Sequence, residues 1–485
     1  MRKLFILFGT ICCAMLYGQT AASWQQIYGG PGIEAGYSVK SCLDQGYIVV
    51  GTTSASGPSD GYIVRTDSLG LVMWSKYYGG TNIDVLRSIE ILSDSGFIVA
   101  GFTNSFGNGG YDGWILRLDK NGDTLWTQTI GTIDWDYFYD VAVTVDSGFI
   151  FVGGTYGAGM GDEDMLFLKT DSNGVLQWIR THGGVKQDEA RSVCVMGDSA
   201  IAACGFTYSL ADTLGDSWIL KLDYLTGDTI WTSTAHFNGQ PDKAYGITNS
   251  TPLGVLFFCG SRETSPGNED PYIDWWWYNG DSLYASLGGG VEDETYYDIA
   301  THPTGNYAAV GTNFSAGSGM GDMMMFWTYP AWSTNTYGTL ELDQGYGIDV
   351  THDGGYILCG STEGYGCYQS NLYLVKTDSG GQFSTVLSIR EATELNGHST
   401  VFPNPATDEV TFTFDAEIGS VSELQLTITD VTGNIIYTSR ESWNILSPKY
   451  AQRSLKVSTF ADGVYFYHIT DGEGNLSAGT FAVSH

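Results

Sequence analysis

Gly96-Phe-Ile-Val-Ala-Gly-Phe-Thr103 and, after a glycine-rich gap, Asp112-Gly-Trp-Ile-Leu-Arg-Leu-Asp-Lys-Asn-Gly-Asp-Thr-Leu-Trp126 decide the reading of this chain. The first phrase is almost wholly apolar, so as a strand it is buried on both faces. The second holds a strand, an Asn-Gly turn and the start of another strand, because Asn-Gly supplies the positive φ angles that a tight hairpin needs. With the run before the turn Ser93-Asp-Ser-Gly96, the unit reads as four strands over 87–92, 97–103, 114–119 and 124–129. The apolar phrase recurs with its glycine at Gly51, Gly101, Gly153, Gly205, Gly260, Gly311 and Gly360, spaced by 49 to 55 residues. A period near 50 with four short strands per unit is the signature of propeller blades. Seven copies predict a seven-bladed β-propeller, which packs blade against blade and so buries both faces of the second strand. A stacked solenoid is the rival, but neither end carries a distinct capping repeat.

A fourth-strand phrase also stands ahead of the first full unit. Trp24-Gln-Gln-Ile-Tyr-Gly-Gly30 echoes Trp74-Ser-Lys-Tyr-Tyr-Gly-Gly80, whereas the last unit's own candidate, 382–388, lacks the Trp and the glycine pair. The N-terminal copy is therefore expected to close the ring and hide a sheet edge. The 112–126 phrase resembles the bacterial beta-propeller repeat family known as SBBP, well over 24–262 and less in blades five and six, where Trp275-Trp-Trp277 and Met323-Met-Met325 replace the usual strand. That resemblance implies a fold and an extracytoplasmic place, not an activity.

Composition agrees. Glycine supplies 65 of 485 residues, 14% are aromatic and 15% charged, which favours short strands and turns over amphipathic helices. The net charge of −33 argues against a nucleic-acid partner. Arg2 and Lys3, an apolar run over 4–16 and small residues at 18–22 read as a secretory signal peptide over 1–22, and no later stretch is apolar enough to span a membrane. Neither Cys12 nor Cys13 follows the small-residue pair of a lipobox. Of the six remaining cysteines, Cys204, Cys259 and Cys359 fill a slot that holds Val50, Ala100, Val152 or Val310 in other blades. They act there as small hydrophobes, so few or no disulfides are expected.

The grammar changes near residue 390. The expected domains are the propeller over 23–389, a polar linker over 390–399, and a small immunoglobulin-like β-sandwich over 400–485 with about six strands, among them 409–415, 423–430, 434–439 and 464–470. This segment resembles the type A C-terminal sorting domain of the Bacteroidota type IX secretion system. The resemblance rests on Val401-Phe-Pro403-Asn404-Pro405-Ala406, Asp430-Val-Thr-Gly433-Asn-Ile-Ile436 and Phe460-Ala-Asp-Gly463-Val-Tyr465-Phe-Tyr467. It implies the type IX machinery as a partner, and a place in the medium or on the cell surface. The final Gly479-Thr-Phe-Ala-Val-Ser-His485 departs from the family's Lys-bearing last strand.

No catalytic set emerges. Lys or Arg two places before Asp recurs at Arg65, Arg117, Lys169, Lys221 and Lys376, which marks blade architecture, with the Asp opening a turn. The Asp-x-x-Gly-x-x-x-Trp phrase resembles the sialidase Asp-box, at a spacing two residues different and without an arginine cluster to go with it. Histidines 182, 236, 302 and 352 are scattered, and no zinc pattern, nucleophile elbow or phosphate loop appears. Trp74, Trp126, Trp178 and Trp231 keep the blade period and are expected between blades. What varies is the second-to-third loops and the blade links, which are long and acidic and share one face. Asp112, Asp162, Asp164 and Asp322 follow Gly-rich runs there and form the expected binding face, for a glycan, a protein or a cation such as calcium. Asx-turns are the alternative role for each of them. The reading is a binding or structural protein rather than an enzyme. An extracellular polysaccharide hydrolase or lyase with its site in the channel is the alternative, which converging His, Arg and Tyr side chains would favour.

Overall fold

The computed structural model describes residues 23–382 and 397–483, apart from 30–31, 56, 198–199, 211–213, 237–238, 318, 366–368, 403–405, 417–423, 430–434, 440–442, 448–449, 462 and 471–474. The segment read as a signal peptide lies outside these residues. The described chain is all-β: seven four-stranded antiparallel sheets form a seven-bladed propeller, and two further four-stranded sheets form an immunoglobulin-like sandwich. Six blades run in chain order: 34–78, 84–130, 136–182, 188–235, 242–287 and 294–337. The seventh takes Asp343–Val350, Tyr356–Thr362 and Asn371–Thr377 as its inner strands and Trp24–Tyr28 as its outermost. Trp24 pairs with Lys376 and Tyr28 with Leu372, so the N-terminal phrase closes the ring as its sequence predicts.

Burial explains the strand chemistry. The second strand of blade 1, Tyr47–Thr53, is buried at every position, and so are Asp112–Leu118 and Asp164–Thr170 among the third strands. The outer strand Val72–Tyr78 alternates half-buried with exposed, as an edge does when one of its faces meets water. The periodic tryptophans lock neighbouring blades together. Each lies against the glycine of the next blade's third turn: Trp24 on Gly70, Trp74 on Gly122, Trp126 on Gly174, Trp178 on Gly227 and Trp231 on Gly280. Those glycines have φ between +74° and +91°, so the turn needs glycine for its backbone as well as for the ring above it. Trp178 and Trp231 also donate to the carbonyls of Tyr224 and Tyr278, each at 3.0 Å.

Four of the five repeated cations pair backward along the chain, not with the Asp two places on. Arg65, Arg117, Lys169 and Lys376 reach Asp44, Asp94, Asp146 and Asp353 in the first turn of their own blades. The downstream acid folds its own turn instead, as Asp67 does by accepting from the N–H groups of Leu69 and Leu71 at 2.9 Å. Cys42, Cys194, Cys204, Cys259 and Cys359 are free thiols, and the last three are fully buried in blade cores.

Among the described residues the sandwich has eight strands, in orders Gly397–Phe402, Glu409–Ala416, Tyr450–Lys456, Asn444–Ser447 and Ile435–Ser439, Gln425–Thr429, Gly463–Thr470, Asn475–Val483. The first begins three residues inside the stretch assigned by composition to the linker. Ala406, Phe412, Leu426, Trp443, Tyr465 and Tyr467 are among the buried residues of its core.

Candidate functional site

The glycine that carries the repeat also shapes the propeller's axis. A Cβ at Gly51, Gly101, Gly153, Gly205, Gly260, Gly311 or Gly360 would collide with a carbonyl oxygen of the adjoining first strand, at Ala35, Val85, Tyr137, Glu189, Lys243, Thr295 or Gln344. Two residues beyond each of these carbonyls, the pairing slips by one residue. The extra residues are Tyr37, Arg87, Tyr139, Arg191, Tyr245, Tyr297 and Tyr346. A bulge of this kind turns its side chain away from the ladder.

On the innermost strand that direction is the axis, and the seven side chains meet in a closed ring. Tyr37 touches Tyr346, Tyr346 touches Tyr297 and Tyr297 touches Tyr245, with centroids 5.4 to 5.5 Å apart. Arg87 bridges the remaining gap between Tyr37 and Tyr139, 4.4 and 5.5 Å from their rings. Arg191 bridges Tyr139 and Tyr245, at 4.5 and 5.8 Å. Guanidinium over a ring face is an attractive arrangement, stronger where water is excluded. Behind the ring, Asp140 accepts from the hydroxyls of Ser88 (2.7 Å) and Ser192 (2.9 Å), and Lys40 pairs with Glu90 at 2.7 Å.

On the loop side of the ring the seven-fold regularity breaks. Blades 2 and 3 and the link between them bring together an aromatic cluster. Phe102 lies 5.0 Å from Tyr137 and 5.5 Å from Tyr111, Tyr111 lies 6.1 Å from Trp135, and Trp135 lies 5.8 Å from Tyr156. Trp135 is 50% exposed and Tyr156 39%. Beside them Glu163 and Glu189 are both buried, at 2%. Glu163 accepts from the Gln187 amide at 2.9 Å, and Glu189 pairs with Arg191 of the ring at 2.9 Å. Burial, then the Glu189 charge, pushes the Glu163 carboxyl up to about 7. Further round, Lys243 lies over the Phe206 ring at 5.9 Å, and Glu269 accepts from the Ser261 hydroxyl at 2.7 Å.

Asp112, Asp164 and Asp322 open the third strands of blades 2, 3 and 6, each at most 2% exposed, whereas Asp162 is exposed. Asp112 accepts from the Asn108 N–H at 2.9 Å and Asp164 from the Met160 N–H at 2.7 Å. The Gly-rich run thus wraps its own acid, and at Gly107, Gly159 and Gly317 (φ +100° to +119°) a Cβ would strike that carboxylate. Each acid also faces the first-strand acid of the next blade, Asp136, Asp188 or Asp343, across a glycine. The three are carried by different loops, and no group of three or more His, Cys, Asp or Glu side chains is arranged to hold a metal among the described residues.

Of the sorting-motif residues, Pro403, Asn404, Pro405, Asp430 and Gly433 lie outside the described residues. Gly463 opens its strand, and Tyr465 is buried in the core, donating to the Ala461 carbonyl at 2.8 Å. His182, His302 and His352 are apart from the ring: His182 packs on Phe167, His302 on Tyr329, and His352 meets the Cys42 carbonyl.

Residues 400–480 match the secretion system C-terminal sorting domain family. No curated protein matches the chain. Among solved structures, a puromycin hydrolase is similar over 80% of this chain and 59% of its own, at 11% identity and a TM-score of 0.49. An alpha-L-arabinanase from Penicillium chrysogenum complexed with arabinobiose is similar over 61% and 93%, at 10% identity and 0.42. An acylaminoacyl peptidase from Pyrococcus horikoshii is similar over 80% and 58%, at 13% identity and 0.41. At such identities the likeness is one of fold alone. The sorting domain at 400–480 marks the chain as a secreted or cell-surface protein that engages the type IX secretion machinery.

Proposed function

We propose that this is a secreted or surface-displayed binding protein whose ligand seats at the loop end of the propeller axis, over blades 2 to 5. One observation carries the reading. In a repeat, a side chain that serves the scaffold recurs in every blade. Tyr111, Trp135, Tyr137, Glu163, Glu189 and Lys243 do not recur in every blade: the positions of Tyr137, Glu189 and Lys243 hold Ala35, Val85, Thr295 and Gln344 elsewhere, and Glu163 has a counterpart only in Glu269 of blade 5. Yet these exceptions gather in one place above the ring. Clustered aromatic groups with a few fixed polar partners are the usual make-up of a binding site. The sorting domain is the address, and the propeller is what is delivered.

A polysaccharide-acting enzyme is the second reading, and Glu163 beside Glu189 favours it. Two neighbouring carboxyls are what acid–base cleavage of a glycosidic bond requires, and burial with the Glu189 charge raises that of Glu163. Their burial and the Gln187 contact favour binding instead. Incubating the full chain with soluble polysaccharides and measuring new reducing ends separates the two. Release that Glu163→Gln abolishes would establish the enzyme.

Two experiments test the main reading. Deleting 400–485 should trap the propeller in the periplasm of a type IX-competent host, and undiminished surface or medium levels would contradict the assigned address. On an array of glycans and extracellular proteins, every ligand retained by the full chain should be lost with a Trp135→Ala/Lys243→Glu double variant. Retention of the same ligands by that variant would move the site elsewhere.

A further inference from the structure

We infer that the ligand of this mouth is a neutral glycan, a class inference that rests on the mouth being the binding site. Charge comes first. The charged side chains at the mouth and its ring include Glu163, Glu189, Glu269 and the exposed Asp162, whose charge acts on Tyr156, against Arg87, Arg191 and Lys243. Two of the acids are already engaged within the protein, Glu163 by Gln187 and Glu189 by Arg191. The cations lie over ring faces, which leaves no open cationic patch for a polyanion, and the net charge of −33 repels polyanions besides; Asp162 and Glu269, in different blades, are too few to hold a polycation.

What remains is stacking and hydrogen bonding. Trp135 and Tyr156 are the exposed members of an aromatic chain that runs inward through Tyr111 and Tyr137 to the ring. Large rigid rings offer apolar area at little cost in rotamer entropy, and the C–H face of a pyranose fits such a platform. Beside it stand an amide (Gln187) and phenol hydroxyls, and further round the ring an ammonium (Lys243) and a half-buried carboxylate (Glu269), a mixture of donors and acceptors. Vicinal sugar hydroxyls each donate and accept, so they can satisfy both kinds at once. An apolar peptide segment would leave these groups unpaired, which is costly once they are desolvated. Glu163 lies beneath this surface and acts as a positioning residue, through Gln187.

A second aromatic surface supplies the control. A groove of about 460 Å³ between blades 1 and 2 is lined by Tyr77, Phe106, Trp114 and Gln128, away from the axis. The experiment titrates the full chain calorimetrically with hexaoses of β-glucan, xylan, mannan and chitin. Oligogalacturonate, a heparin fragment and an extended lysine-rich peptide serve as charged comparisons. At least one neutral hexaose should bind with a dissociation constant below about 1 mM. Trp135→Ala and Tyr156→Ala should each weaken it at least tenfold at an unchanged melting temperature, with Tyr77→Ala having no effect. Raising salt from 50 to 500 mM should change the affinity less than twofold, because no ion pairs form. Failure of every neutral hexaose to bind overturns the inference. If only a charged probe binds and Trp135→Ala abolishes that binding, the glycan class falls while the mouth stands. If neutral binding follows Tyr77→Ala instead of Trp135→Ala, the mouth falls as well.

Discussion

The junction between blades 3 and 4 and the junction between blades 6 and 7 are built to one plan and furnished differently. Both bury a pair of acids around a glycine, Asp164 with Asp188 at Gly183 and Asp322 with Asp343 at Gly338. In both, the first-strand acid caps the blade link: Asp188 accepts from the Gly184 N–H at 2.8 Å and Asp343 from the Thr339 N–H at 2.6 Å. Only the first adds Glu163, Glu189 and Arg191, where the second has Gly321, Gln344 and Tyr346. The shared acids make a blade, and the unshared ones make a place for something else. An acid-rich sequence does not separate the two kinds, because both are written Asp or Glu in a Gly-rich stretch.

The largest expected effect tests the shared part. Asp188→Ala and Asp343→Ala should each cost about 1–3 kcal/mol in chemical denaturation, since each leaves a backbone N–H that the acid now caps without its partner. A neutral outcome at either junction would break the common plan. Asp162→Ala, at an exposed position, should stay within about 0.5 kcal/mol. A calcium-dependent rise in melting temperature that Asp164→Asn removes would instead mark the Gly-rich loops as cation sites.

The next effect isolates the unshared part. Glu163 binds its proton more tightly folded (about 7) than unfolded (4.5), so its contribution is full at low pH and is lost as pH rises toward 7. Asp274 and Asp298, each pushed up to about 6 chiefly by burial, act in the same direction. Asp94 works oppositely: the Gly96 N–H and the Arg117 guanidinium hold its carboxyl below the usual range, a gain lost only as pH falls below about 4. The melting temperature should therefore peak near pH 4 and decline toward pH 7. Glu163→Gln should raise stability by about 1–3 kcal/mol at pH 8 and little at pH 4. An equal shift at both values would remove the carboxylate repulsion from the account.

The smallest effect concerns a slot that the two halves of the ring share. Cys204 in blade 4 and Cys359 in blade 7 precede the repeated glycine, where blades 3 and 6 have Val152 and Val310. Burial raises both thiols well above their ordinary range. The native protein should leave them unlabelled by a thiol reagent, while denaturation without reductant should expose both as free thiols. Cys359→Val should cost less than about 1.5 kcal/mol. Mass-spectrometric detection of a disulfide at either would contradict the burial.

The blade count, the closing strand and the interblade tryptophans were legible because each recurs at the period, and recurrence is what a sequence displays. The ring was half legible. Tyr or Arg stands at 37, 87, 139, 191, 245, 297 and 346, a column as regular as the glycines, but only the bulge turns that column toward the axis. The mouth was hidden for another reason: Tyr137, Glu163 and Glu189 come from three different strands or loops, and none of them recurs in every blade. The cation pairs were misleading at short range, since Arg65 reaches back to Asp44 and not forward to Asp67. In the sandwich, Asn444–Ser447 and Tyr450–Lys456 are paired strands without the clean alternation that marked Glu409–Ala416, which is why eight strands read as about six.

Hydroxyl-radical footprinting of the full chain, with and without whichever array ligand it retains, tests the central claim most directly. The account predicts protection at Trp135 and Tyr156 on the axial mouth, with Tyr77 and Leu125 on the outer strands unchanged. Protection confined to Tyr77 or Leu125, with Trp135 as reactive as in the free protein, would contradict it.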